Sequence, residues 1–415
     1  MLLLSLALAK PHTEVLPVAP RGGSALPPGP PPKVWVYGYW AYWAGDLEDI
    51  DWSRLSHVAI FNVDLNADGT LDDERHWTDN AATAMALAEP HGTRVHLTLT
   101  CFVDDVMASV LPSPTLRGKT VERLGELVDA YGAHGVSVDC EGMSADLKDD
   151  LVDFVSELSD RVDEVTVATP AVDWRGAYDY DELAAASDGL FIMGYGYHWS
   201  SGDPGPVAPL HGGEPWSKYS LAWTVQDYLD NGTPRDKIIL GLPLYGRTWP
   251  STSNAVPGTA TAEGVALVMS TAVAEVDSYG RQWDAVTDTP YYFKSSTSQS
   301  WYDDTESLDA KIGWAVEEEL QGVGFWALNY EGGDAEFWDM VSAHTAADED
   351  PGDSGDSATL DSGPVDSDAE QVISGLRGTN SDNEGAKACG CGPGLGASWL
   401  PGLISMSLFW IRRRR

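Results

Sequence analysis

The stretch GVSVDCEGM, running from Gly135 to Met143, decides how this chain folds. Its apolar and polar residues alternate, as they do along a strand with one face in a core. Side chains two apart on a strand share a face, so Ser137, Asp139 and Glu141 point together. Two carboxylates placed that close cannot both ionise freely, and one pKa rises. A raised glutamate is what a general acid needs near neutral pH. An exposed acid pair at a strand end has the same spacing, so the surrounding strands must say which it is.

Working outward, apolar strand-like segments precede it at KVWVYGYW (33–40), LSHVAIFNVDL (55–65) and RVHLTLTCF (94–102). Others follow at EVTVATPAV (164–172), GLFIMGYGY (189–197), KIILGLPLYG (237–246) and GVGFWALNY (322–330). Helix-like runs separate most of them, among them TVERLGELVDAYGAH, DLKDDLVDFVSELSD and LDAKIGWAVEEEL. Strands alternating with helices imply an α/β fold with a parallel sheet. Eight such units suit a closed (β/α)8 TIM barrel. An open doubly wound sheet is the competitor, but no Gly-rich phosphate fingerprint follows the first strand. The connection 247–300 is long and rich in Ser, Thr and Tyr, which predicts a small insertion before the eighth strand. In a barrel of this type the C-terminal strand ends carry the site, and Asp139 and Glu141 sit at one of them.

The formal charge of −39 on 415 residues repels a polyanion and excludes nucleic acid as a natural partner. The 17 tryptophans fit either a sugar-binding cleft or a large core. Cysteines occur only at 101, 140, 389 and 391, too few for a disulfide scaffold. Residues 1–9 read as a short signal-like apolar segment and 10–32 as a Pro-rich linker. The barrel is expected over 33–345, followed by an acidic disordered spacer over 346–388. Residues 389–415 combine two cysteines, an uncharged apolar stretch long enough to cross a bilayer and a terminal Arg cluster. That end resembles bacterial C-terminal sorting tags, and implies an exported protein held at the cell surface or membrane through a C-terminal helix.

The barrel motifs together resemble glycoside hydrolase family 18, the chitinase-like family. HGVSVDCE (134–141) resembles that family's fourth-strand D-G-x-D-x-D-x-E signature. VYGYWAYW, IDWSRLSHVAIFNVDLNADGTL, FIMGYGYHW, GPVAPL, KIILGLPLYGRTW and WYDDTESLDAKIGWAVEEELQGVGFWALN resemble its other strands and loops, in order. The resemblance implies hydrolysis of β-1,4 bonds in N-acetylglucosamine-containing glycans, chitin or peptidoglycan. It implies Glu141 as acid/base, Asp139 as the group orienting the substrate acetamide, and Tyr195 hydrogen-bonding beside the reacting ring. The acetamide oxygen is then the nucleophile, with retention and an oxazolinium intermediate, outside the two-carboxylate scheme. Trp326 matches the floor under the sugar, and Tyr245, Tyr39, Ser137 and Met193 match substrate-facing strand ends. No metal or organic cofactor is implied.

The chain departs from the family pattern at three places. His134 and Ser137 stand where acids are expected, and Gly196 follows Tyr195 in place of an aspartate. With Ser137 as neighbour, Asp139 is expected to have a lower pKa than with a carboxylate there. These losses leave open a weakly active or non-catalytic, lectin-like glycan-binding protein on the same barrel. Cys140 is expected to face the helix layer, either as a buried thiol or bonded to Cys101.

Overall fold

The computed structural model describes Leu16 and residues 29–346 of the protein. The signal-like segment, most of the Pro-rich linker, the acidic spacer beyond Ala346 and the C-terminal tag lie outside the described residues. Among the described residues no helix is long and apolar enough to cross a membrane.

Eight strands form a closed parallel barrel. They are β1 (Trp35–Ala41), β2 (His57–Leu65), β3 (Arg94–Cys101), β4 (Gly135–Cys140), β5 (Glu164–Pro170), β6 (Gly189–Met193), β7 (Ile238–Pro243) and β8 (Gly322–Trp326). Each pairs in parallel with its sequence neighbour, and β1 pairs with both β2 and β8, which closes the ring. Strands covered on both faces read as near-continuous apolar runs, which is why these segments stood out in the sequence. Along β3 and β4 the outer residues Leu97, Leu99, Val136 and Val138 are fully buried under helices. The inner residues are polar or aromatic, and they hydrogen-bond in layers. Tyr37 lies 3.1 Å from His96 Nδ1 and 3.0 Å from Thr166 Oγ1, and one layer higher Tyr39 lies 2.7 Å from Ser137 Oγ.

The helix before β4 shows how local signals set the register. Ser113 caps helix Pro114–Tyr131 by accepting the Leu116 N–H, proline occupies its first turn, and Gly132 ends it at φ 65°. Its buried face, Val121, Leu124, Leu127 and Val128, packs on the barrel. Each such side chain contributes roughly 1.5–3 kcal/mol on burial. A capping box formed by Asp304 and Ser307 likewise starts helix Thr305–Glu317, which leads into β8.

The insertion is a five-stranded antiparallel sheet with one helix, Met269–Tyr279. In spatial order its strands are Val265–Val268, Tyr245–Pro250, Ser298–Trp301, Thr289–Ser295 and Gln282–Asp284. It therefore begins at Tyr245, inside the stretch expected to finish the seventh barrel strand. The break falls at Leu244, whose N–H donates to Trp326 O at 2.8 Å and whose carbonyl accepts from Met269. Gly246 is required there, because a Cβ would meet Trp301 O at 2.5 Å.

Candidate active site

Asp139 ends the inner face of β4 and is 5% exposed. Its register partner on β3 is Thr100, which in turn pairs with Asp64 on β2, so the three residues form one row across three strands. The strand closes at Cys140, but the ladder runs one residue further: Glu141 N–H donates to Cys101 O at 3.1 Å. That bond keeps Glu141 on the strand's course, on the same face as Asp139 and Ser137. Burial pushes Asp139 up to about 7, and its Oδ1 has no hydrogen-bond partner. The rise occurs with a serine, not a carboxylate, as the inner neighbour, so desolvation supplies it.

Three phenols surround the pair. Burial holds Tyr39, Tyr178 and Tyr195 well above the usual tyrosine value, and the charges of Asp139 and Glu141 add to the rise in each. Tyr195 and Tyr245 meet edge to face at 5.9 Å. Trp326, 6% exposed, packs beside Tyr39 at 5.7 Å and Phe61 at 5.0 Å, with Trp43 at 6.5 Å. Met193 is buried at the end of β6, in register with Pro170 and Gly241. All eight expected site residues thus lie at or near C-terminal strand ends, except that Ser137 sits one layer below, bonded to Tyr39.

Two of the three departures have structural reasons away from the acids. His134 precedes β4 at the opposite end of the barrel, where its Nδ1 accepts the Val95 N–H at 2.9 Å. Gly196 has a φ of 76°, a left-handed backbone that favours glycine.

Sequence reasoning missed several residues. Tyr178, in the loop after β5, donates its hydroxyl to Cys140 O at 2.6 Å. Arg175 of the same loop donates to Gly142 O and, at 3.3 Å, to Met143 O, clasping the turn that follows Glu141. Asn62 Nδ2 donates to Asp64 Oδ1 at 2.8 Å and to Thr100 Oγ1 at 2.6 Å. The signal for the first two is an aromatic- and Arg-bearing loop, VDWRGAYDY, directly after a barrel strand. Cys101 and Cys140, both on the outer face, form a disulfide with Cα atoms 4.2 Å apart. The free-thiol alternative for Cys140 is thereby corrected: the two residues are register partners on adjacent strands.

A closed parallel barrel with buried acid and aromatic side chains at its C-terminal strand ends has the layout of a barrel enzyme's active-site face. The chain belongs to Glycosyl hydrolases family 18, whose profile matches residues 35–331. It is 29% identical over 291 residues to the Bacillus subtilis (strain 168) protein YdhD, named as a sporulation-specific glycosylase, covering 66% of each chain. The chain spans about two thirds of the length of the curated relatives it matches first. Its fold is similar to that of an Ostrinia furnacalis Group IV chitinase solved with allosamidin, with a TM-score of 0.68 and 20% identity over 75% of this chain and 98% of that one. It is also similar to a double mutant of a Cycas revoluta chitinase of the same family solved with (GlcNAc)4, with a TM-score of 0.66 and 21% identity over 75% and 99%.

Proposed function

We propose that this chain hydrolyses β-1,4 bonds next to N-acetylglucosamine by retaining, substrate-assisted catalysis. The observation that carries the reading is Asp139: a buried carboxyl, raised to about 7, with an unpartnered Oδ1 two residues before Glu141 on one strand face. A polar atom left unpaired in a barrel core is costly unless a ligand completes it. An acetamide N–H from a bound sugar is such a ligand. It also turns the acetamide oxygen toward the anomeric carbon. Glu141 protonates the glycosidic oxygen as the acetamide oxygen attacks, and the C–O bond to the leaving sugar breaks. The oxazolinium ion that forms is opened by water, whose proton returns to Glu141. Tyr195 borders the same space, and Trp326 offers a flat apolar face to the pyranose C–H groups. Two displacements at one carbon give retention.

The (GlcNAc)4 bound to the Cycas chitinase supports a glycan of this class as substrate. Proton NMR of the first products tests the stereochemistry: fresh reducing ends in the β configuration support the mechanism, and the α configuration rules it out. A product profile on chitin oligosaccharides and on purified peptidoglycan assigns the natural polymer. Binding without cleavage on both would make the protein a lectin. We also propose, from the sequence of residues 1–9 and 389–415, that the protein is exported and held at the cell surface through its C-terminal segment. Deleting 389–415 should then release soluble protein, and persistent membrane association would contradict it.

A further inference from the structure

We propose that His57, His96 and Glu164 bind one divalent transition-metal ion of the zinc class, at the end of the barrel opposite the acid pair. His57 and Glu164 are the first residues of β2 and β5, and His96 is the third of β3. His96 and Glu164 both face Gly135 of the intervening strand in register. The side chains converge so that His96 Nε2 lies 2.8 Å and His57 Nε2 3.3 Å from Glu164 Oε2. All three donor atoms lie within 4.8 Å of one another. A tetrahedral zinc-class ion with bonds of about 2.0–2.1 Å separates its ligands by about 3.4 Å, so small shifts suffice. Two imidazoles and a carboxylate are a donor set suited to such ions.

The hydrogen bonds around His57 point the same way. Ser56 Oγ accepts the Val36 N–H at 2.8 Å and lies 3.2 Å from Val36 O, to which it donates. His57 Nδ1 lies 2.7 Å from that hydroxyl, and when Nδ1 donates to it Nε2 carries a bare lone pair. This nitrogen belongs to a residue 2% exposed and lies 3.3 Å from the Glu164 carboxylate oxygen. In the tautomer protonated at Nδ1, Nε2 and the carboxylate oxygen are two acceptors facing one another at 3.3 Å. A cation between them removes the conflict. His96 is held by the Tyr37 hydroxyl, which also reaches Thr166. That hydroxyl can accept from Nδ1–H while passing its own proton to Thr166, which frees His96 Nε2 for the metal. Partners that fix the second nitrogen are the usual support of metal-bound imidazoles.

Arg94 is the competitor. Its Nε donates to the same Glu164 oxygen at 2.6 Å, and its side chain is 37% exposed. The guanidinium has solvent to swing into, and the ion replaces its charge. Metal uptake therefore displaces Arg94 and leaves the His96 proton on Nδ1 rather than Nε2. The site ties three strands together at the barrel's base and takes no part in the chemistry at the other end.

The test is calorimetric titration of the chelator-stripped full chain, without any added affinity sequence, with Zn²⁺, repeated with Co²⁺ and read by visible absorption. One ion per chain and the spectrum of low-coordinate cobalt are expected. Affinity should fall ~10- to 100-fold in Ser56→Ala, which leaves all three ligands in place. It should vanish in the His57→Gln/His96→Gln double variant, rise in Arg94→Gln, and weaken as pH falls. Absence of saturable wild-type binding overturns the proposal. So does unchanged affinity in a natively folded double variant, or weaker binding in Arg94→Gln, a variant that keeps the test open if the double one fails to fold.

Discussion

Replacing Asp139 with asparagine should stabilise the ligand-free protein at pH 8 relative to pH 5. Burial raises this carboxyl from an ordinary 3.8 to about 7. The native state thus holds its proton where the unfolded chain has already lost it. For a group raised on folding, stability is fullest below the unfolded pKa and drains away as pH rises through the folded one. Three pKa units amount to ~4 kcal/mol over the whole range, of which ~3 kcal/mol falls between pH 5 and 8. Asparagine does not titrate, so Asp139→Asn removes that dependence. Urea unfolding of both chains at both pH values measures it as a double difference. Any fixed penalty for an unpaired amide at the site cancels, as does every titrating group that does not interact with Asp139. The expected result is a variant whose stability relative to wild type improves by ~3 kcal/mol on going from pH 5 to 8. An equal difference at the two pH values would show that Asp139 ionises as an ordinary exposed acid, and the reasoning from its burial would fail.

Other outcomes follow from the same structure. The Cys101–Cys140 disulfide closes a loop with a sequence separation of 39, and reducing it should cost ~4 kcal/mol, seen as a lower urea midpoint; free thiols that alkylate fully in the unreduced, unfolded chain would refute the bond. Arg175→Ala should lower kcat ~10-fold or more by loosening the turn after Glu141, with stability changed by no more than ~0.5 kcal/mol; an unchanged kcat would show that the turn holds itself. Lys311 and Asp303 form an ion pair with both side chains at most 1% exposed. Lys311→Ala should cost ~3–5 kcal/mol by stranding the acid, and a loss under ~1 kcal/mol would mean that water or another cation reaches Asp303.

The barrel was legible because its strands are buried on both faces, and runs such as LSHVAIFNVDL and GVSVDCE stand out against amphipathic helices. The acids at the end of β4 were legible for a related reason, since spacing on a strand fixes facing. The insertion was seen only as a long polar connection. Its strands are short, and Tyr245–Pro250 continues directly from barrel-like sequence, so the change of sheet shows only in its antiparallel pairing with Val265–Val268 and Ser298–Trp301. The disulfide depends on register between neighbouring strands, which places Cys101 opposite Cys140. Tyr178 and Arg175 reach the site from a loop whose path has no periodicity to read. The meeting of His57, His96 and Glu164 is likewise a product of barrel closure, since they lie near the starts of three different strands. His134 and Gly196, by contrast, look like lost site residues until their backbone context is known.

The proposed mechanism stands on Glu141 moving the proton. The direct measurement is the hydrolysis rate of N-acetylglucosamine oligosaccharides by Glu141→Gln, with calorimetric binding of the same oligosaccharides as control. Loss of general acid/base catalysis should lower kcat by ~10²–10⁴-fold while binding is kept. Wild-type turnover in the glutamine variant would contradict the account.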